Sequence, residues 1–191
     1  MDIRPSGADP SGMLNSKSSD GAPQLRTLDP ERDGATLHAI FSDAGCCAYL
    51  PFPPTSSVDA TIALLKRWPS ESNQYSWAIV HDIEGPALGQ ISFYCARDPE
   101  VWETAIMMRP DASGRGIARA AMERALTFIF EQIKARRVFA DIDPDNTPSL
   151  RLFEQLGFQH EGILRAYWRT HIGVRDSVIM GLLADEFQCA G

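Results

Sequence analysis

A chain of 191 residues with 44% hydrophobic and 23% charged residues has ordinary globular composition and the length for one domain with a sizeable core. Its formal net charge of −7 argues against nucleic acid, which calls for a basic face, and favours a cationic substrate such as an amine. No apolar run reaches the length of a bilayer span, and the N-terminus lacks the apolar core of a signal peptide, so the reading is a cytoplasmic protein with no membrane partner.

In chain order, residues 1–23 are rich in Ser, Gly, Asp and Pro and read as a flexible leader. A first strand is expected at 24–28, then a helix carrying Leu37, Ile40 and Phe41 with Asp33 as its cap. Residues 44–57 hold Cys46, Cys47 and three prolines and cannot be regular structure. Tyr49 and Phe52 in this loop either cover the core or wall a substrate pocket. Ser57 opens a second helix with Ile62, Leu65 and Trp68 inward and Pro69 ending it. Strands follow at 75–80, 87–95 and 102–108, the first two joined by a turn at 82–86.

The stretch from Met107 to Gly157 carries the chemistry. Gly114, Gly116 and Ala118 form a turn between a strand and a helix, which aims bare N–H groups and a positive helix end at whatever sits there. Ile117, Ala121, Ala125, Ile129 and Ile133 recur every four residues, as a helix packed on a sheet requires, with Lys134, Arg136 and Arg137 closing it. A strand at 138–142 ends at Asp143-Pro144-Asp145. The next helix takes Thr147 as N-cap and Pro148 as first residue, turns Leu150, Phe153 and Leu156 inward, and stops at Gly157. Strands at 158–168 and 174–183 make a closing hairpin, residues 188–191 a tail. The whole is one α+β domain over 24–187: a mixed, mostly antiparallel sheet with helices on both faces.

Cys46, Cys47, Cys95 and Cys189 show no paired spacing and read as free thiols; the four histidines are scattered, so no metal site is expected.

Over about residues 24 to 184 the chain resembles the GNAT superfamily of acyl-CoA N-acyltransferases. The family's Gln/Arg-x-x-Gly-x-Gly/Ala turn falls on residues 113–118, with Ser113 in place of Gln or Arg; its Asn-x-x-Ser segment running into Leu-Gly-Phe falls on Asn146, Ser149 and Leu156-Gly157-Phe158. Glu161 to Arg165 and Arg175 to Val178 are similar to the branch of Rim-type ribosomal-protein N-terminal acetyltransferases. The resemblance implies acetyl-CoA as acyl donor, with its pyrophosphate at Ser113, Gly114, Arg115, Gly116, Ile117, Ala118 and Arg119. It implies a pantetheine arm lying in a splay between two strands, against backbone groups of Ile106, Met107 and Met108 on one side and the Asn146 amide on the other. The Met108 N–H then faces the thioester oxygen. Turn formation is the competing role for Asn146, and plain surface charge for Arg115 and Arg119.

Acyl transfer needs a neutral amine and a protonated leaving thiol. A peptide α-amine, with a pKa of roughly 8, is easier to deprotonate than a lysine at about 10.4. Glu103, on the strand before the turn, is the best-placed base; an exposed strand residue is the alternative. Many family members carry a tyrosine where this chain has Phe153, leaving Ser149 as candidate proton donor, or as a simple early-helix hydroxyl. By the resemblance, Phe153 joins the coenzyme set and Tyr49 and Phe52 adjoin the acceptor. The expected activity is direct acetyl transfer to a primary amine, with a protein or peptide α-amine ahead of a small amine, amino acid or antibiotic, by a monomer or homodimer. A non-catalytic acetyl-CoA-binding module is the reading from another class, resting on Phe153; a nucleotide-binding loop lacks its Gly-Lys-Ser/Thr ending and is set aside.

Overall fold

The computed structural model describes residues 21–67 and 74–188; the expectations for the leader up to residue 20, for Trp68 and Pro69, and for the tail beyond residue 188 lie outside these. Among the described residues the strands are β1 Gln24–Thr27, β2 Gln74–Val80, β3 Gly89–Cys95, β4 Val101–Met108, β5 Arg137–Ile142, β6 Gln159–Thr170 and β7 Gly173–Leu183. They form one sheet in the order β1-β2-β3-β4-β5-β7-β6. Every pairing is antiparallel except β4 with β5. Among the described residues the helices are α1 Pro30–Phe41, α2 Ala44–Cys47, α3 Val58–Arg67, α4 Ile117–Glu131 and α5 Thr147–Gln155. This is the expected α+β architecture.

Strand alternation divides the core in two. On one face, Trp77, Ile91, Phe93, Val138, Ala140 and Val178 pack under α4 and α5. On the other, Ala78, Val80 and Ala87 pack under Leu37, Ile40 and Phe41 of α1 and Leu65 of α3. The aromatic centre lies beneath α4, where Trp77 meets Phe128 edge to face with centroids 5.5 Å apart.

Four local expectations are corrected. Residues 44–47, expected to be irregular, form the short helix α2, whose cap Asp43 accepts from Cys46 N at 2.7 Å. Asp29, not Asp33, caps α1, accepting from the N–H groups of Glu31 and Arg32. Asp33 is 1% exposed and takes a two-pronged pair from Arg26 at 2.8 and 2.6 Å, because a buried carboxylate needs a partner. Asn146, not Thr147, caps α5. The cations after α4 do not serve its C-terminus: the helix stops at Glu131, Arg136 pairs with Asp98 and Glu100, and Arg137 pairs with Glu161. Gly157 does take the left-handed position, at φ 89°.

Candidate functional site

The parallel pair β4 and β5 holds the site. Their register runs Val101↔Arg137, Trp102↔Val138, Glu103↔Phe139, and ends there. Both strands continue, β4 to Met108 and β5 to Ile142, each bonded to its outer neighbour. A wedge therefore opens between them from Thr104 and Ala140 onward.

Hydrogen-bond phase decides which backbone groups line that wedge. Arg109 N donates to Leu88 O at 2.8 Å and Ala96 N to Val101 O at 2.9 Å. Antiparallel strands alternate bonded and unbonded pairs, so Glu103, Ala105 and Met107 spend their main-chain groups on β3. Ile106 and Met108 turn theirs the other way, into the wedge. Of the three residues expected to line it, Met107 is the one whose backbone is engaged, and its side chain packs beneath α1 and α3. Gly89 lets β3 lie this close, since a Cβ there would stand 2.4 Å from Met107 O.

Beyond Met108 the chain makes a single 3₁₀ turn at Pro110–Ala112 and enters the glycine bend. Gly114 and Gly116 have φ of 76° and 75°, a region costly for residues with a Cβ. Gly116 is the N-cap of α4 and offers no side chain to it. Among the described residues, no backbone carbonyl accepts from the N–H groups of Gly114 through Arg119. The residues fit a pyrophosphate: exposed donors at a helix N-terminus. Ser113 is exposed and its hydroxyl donates to Arg109 O at 3.1 Å. Arg119 is held by Glu123 at 2.9 Å, whereas Arg115 is exposed beside the bend.

On the α1/α3 face of the sheet, at the point where pairing stops, lies Glu103. Burial pushes its carboxyl above the ordinary range, and the nearby charge of Asp141 adds to this. Asp141 follows Phe139 by two on β5 and so shares the face. Its Oδ2 accepts from Trp168 Nε1 at 2.8 Å, and its Oδ1 from the Ser177 hydroxyl. Tyr94 of β3 stands directly across from Glu103. Burial pushes its phenol up; a hydrogen bond with Ser92 opposes this, and the Glu103 charge reinforces it. Ala105, between Glu103 and Met107, is exposed in mid-strand, so this face is open at the wedge.

A polar, partly buried carboxylate above a wedge lined by unpaired amides suits transfer to an amine from a donor that binds as an extra strand. A family model described as an acetyltransferase (GNAT) domain matches residues 24–159. The chain belongs to the GNAT acetyltransferase family. It is 34% identical over 167 residues to the N-acetyltransferase p20 of Bacillus licheniformis, covering 85% of this chain and 93% of the relative. To the spermidine N(1)-acetyltransferase of Vibrio cholerae it is 31% identical over 144 residues, 73% of this chain and 80% of the relative. A shorter match, 30% over 77 residues (40% and 51%), joins it to the ribosomal protein bS18-alanine N-acetyltransferase of Escherichia coli. Among solved structures, a spermidine N-acetyltransferase from Vibrio cholerae in complex with CoA and spermine shares the fold, with TM-score 0.74 at 20% identity over 87% of this chain and 98% of that one.

In this GNAT chain the remaining expected residues fall as follows. Asn146 accepts from Ser149 N at 3.3 Å, so its Oδ1 is engaged as a cap and its amide nitrogen remains as the side chain's donor. Ser149 sits partly exposed in the first turn of α5. Phe153 is 2% exposed and packs edge to face on Phe158 at 4.9 Å; it anchors α5 to the core. Tyr49 crosses the site's rim, its hydroxyl donating to Asp145 O at 3.2 Å. Phe52 packs on Phe41 with centroids 6.4 Å apart, the core-covering role of its two readings. Asp141, Tyr94, Trp168 and Ser177 were not singled out from sequence. The alternation of β5 places Asp141 opposite Val138, Ala140 and Ile142, which was a usable signal; the other three become neighbours only through the sheet. Among the described residues no cluster is placed to hold a metal, and no helix is long and apolar enough to cross a membrane.

Proposed function

We propose that the chain is a cytoplasmic enzyme moving acetyl from acetyl-CoA to the α-amine of a protein or peptide. The half-buried Glu103 at the closed end of the wedge carries the reading: it is a carboxylate with raised proton affinity, and it needs only to take a proton from an amine that is itself weakly basic.

The donor's pantetheine lies along β4, bonded to the main chain of Ile106 and Met108 on one side and to the Asn146 amide nitrogen on the other. Its pyrophosphate lies on the N–H groups of residues 114–119, with Arg115 adding charge. The bound thioester supplies an activated acetyl group. Glu103 receives one proton of the incoming ammonium, the Met108 N–H donates to the carbonyl oxygen as it gains charge, and the Ser149 hydroxyl protonates the leaving sulfur while taking up the second proton that the nitrogen sheds as the amide forms. The new C–N bond replaces the C–S bond, with no covalent enzyme intermediate.

A second reading, a small polyamine as acceptor, is favoured by the long match to a spermidine acetyltransferase. Thiol release from acetyl-CoA in the presence of alanine-led peptides and of spermidine separates the two. Turnover with peptides is expected; turnover with spermidine alone would defeat the α-amine reading.

A further inference from the structure

Asp141 has no part in the proton transfers just described, yet the fold invests two side chains in fixing it. Trp168, 27 residues on, donates its indole N–H to Oδ2, and Ser177 donates its hydroxyl to Oδ1. Each carboxylate oxygen retains a further acceptor position after these bonds. Trp168 keeps 43% of its surface exposed, with Tyr167 packed against it in a T-shaped contact at 5.6 Å, so exposed indole surface stands beside the carboxylate. Glu103 lies on the same sheet face, across the β4–β5 ladder, and the exposed Ala105 leaves the floor next to it uncovered. A fixed anion beside exposed indole surface is the pairing that receives an ammonium group.

We propose that Asp141, oriented by Trp168 and Ser177, is the residue that holds the acceptor's ammonium group and selects cationic amines, handing the nitrogen to Glu103 for deprotonation. The inference rests on the acetyl-transfer reading and goes beyond it by naming the recognition element. Asp141 binds, Glu103 takes the proton, and the two roles separate in kinetics: loss of a binding anion raises KM, loss of a base lowers kcat.

The test uses the full chain and acetyl-CoA at pH 7, with three acceptors: spermidine, an alanine-led peptide, and hydroxylamine, which is uncharged at that pH. If the wild type consumes none of them, the transfer reading fails and the inference with it. With the wild type active, Asp141→Asn is expected to raise KM for whichever charged acceptor is used by about tenfold or more. The acetyl-CoA KM and the hydroxylamine kinetics are expected to stay within about twofold. An unchanged KM for the charged acceptor, or an equal loss with hydroxylamine, would overturn the assignment while leaving acetyl transfer intact. Trp168→Leu, which removes both the donor and the indole surface, is expected to shift the same KM in the same direction and carries the test should Asp141→Asn not fold, as judged by thermal unfolding.

Discussion

Glu103 illustrates how a side chain's surroundings set its chemistry. Burial, then the charge of Asp141, raises its pKa, so the folded enzyme holds this proton more tightly than the unfolded chain does. As the proposed base, Glu103 works only when ionised, so activity is expected to fall as pH drops through the raised pKa, at a higher pH than an ordinary glutamate would show. Glu103→Gln is expected to lower kcat by about a hundredfold and to remove that limb of the pH–rate profile. A folded pKa above the unfolded one contributes stability at low pH that is lost as pH rises through it, so the wild type is penalised at neutral pH for keeping the charge. Thermal unfolding of Glu103→Gln is therefore expected at higher temperature than the wild type at pH 7 to 8. The difference should vanish below the ordinary glutamate value of 4.5. A variant less stable at neutral pH would contradict the assigned burial.

The glycine bend and the start of α5 are where local backbone becomes function. Gly116 caps α4 from the left-handed region. A side chain there costs about 1–2 kcal/mol if the backbone is kept, and re-aims the N–H groups if it is not. Gly116→Val is thus expected to weaken CoA binding by about tenfold in calorimetry; unchanged affinity would remove the bend from the binding site. At α5, Asn146→Ala removes the cap and should cost about 1 kcal/mol, lowering the melting temperature by roughly 2–4 °C, whereas Asn146→Asp retains it. The bend was legible in sequence because glycine takes its left-handed geometry without strain and a helical stripe follows at once. The cap was not: asparagine and threonine stand adjacent before a proline, and either choice leaves Pro148 in the first turn. Only the backbone, with Asn146 at φ −80° and ψ 63°, decides between them. Asp33, Arg136 and Arg137 were misplaced for a related reason. Their partners, Arg26, Asp98 and Glu161, lie up to 38 residues away along the chain, and no local pattern announces them.

Seen across the sheet, the site exists because one parallel pair among antiparallel ones stops early. Periodicity and turn residues anticipated the order of strands and helices, since each is written locally in apolar spacing. The wedge followed from family resemblance, and Glu103, Tyr49 and Phe52 on the acceptor side were singled out from sequence, whereas the cluster proposed to hold the ammonium group did not follow from sequence. Asp141, Trp168 and Ser177 come from three strands and meet only after β7 has inserted between β5 and β6. The account stands on the wedge being the coenzyme's seat. Residue-resolved amide hydrogen exchange, with and without CoA, tests that. The account predicts slowed exchange at Ile106, at Met108 and across Gly114 to Arg119 on binding, with Met107 unchanged because β3 already holds its N–H. Protection confined to other strands, or none at these amides under saturating CoA, would contradict it.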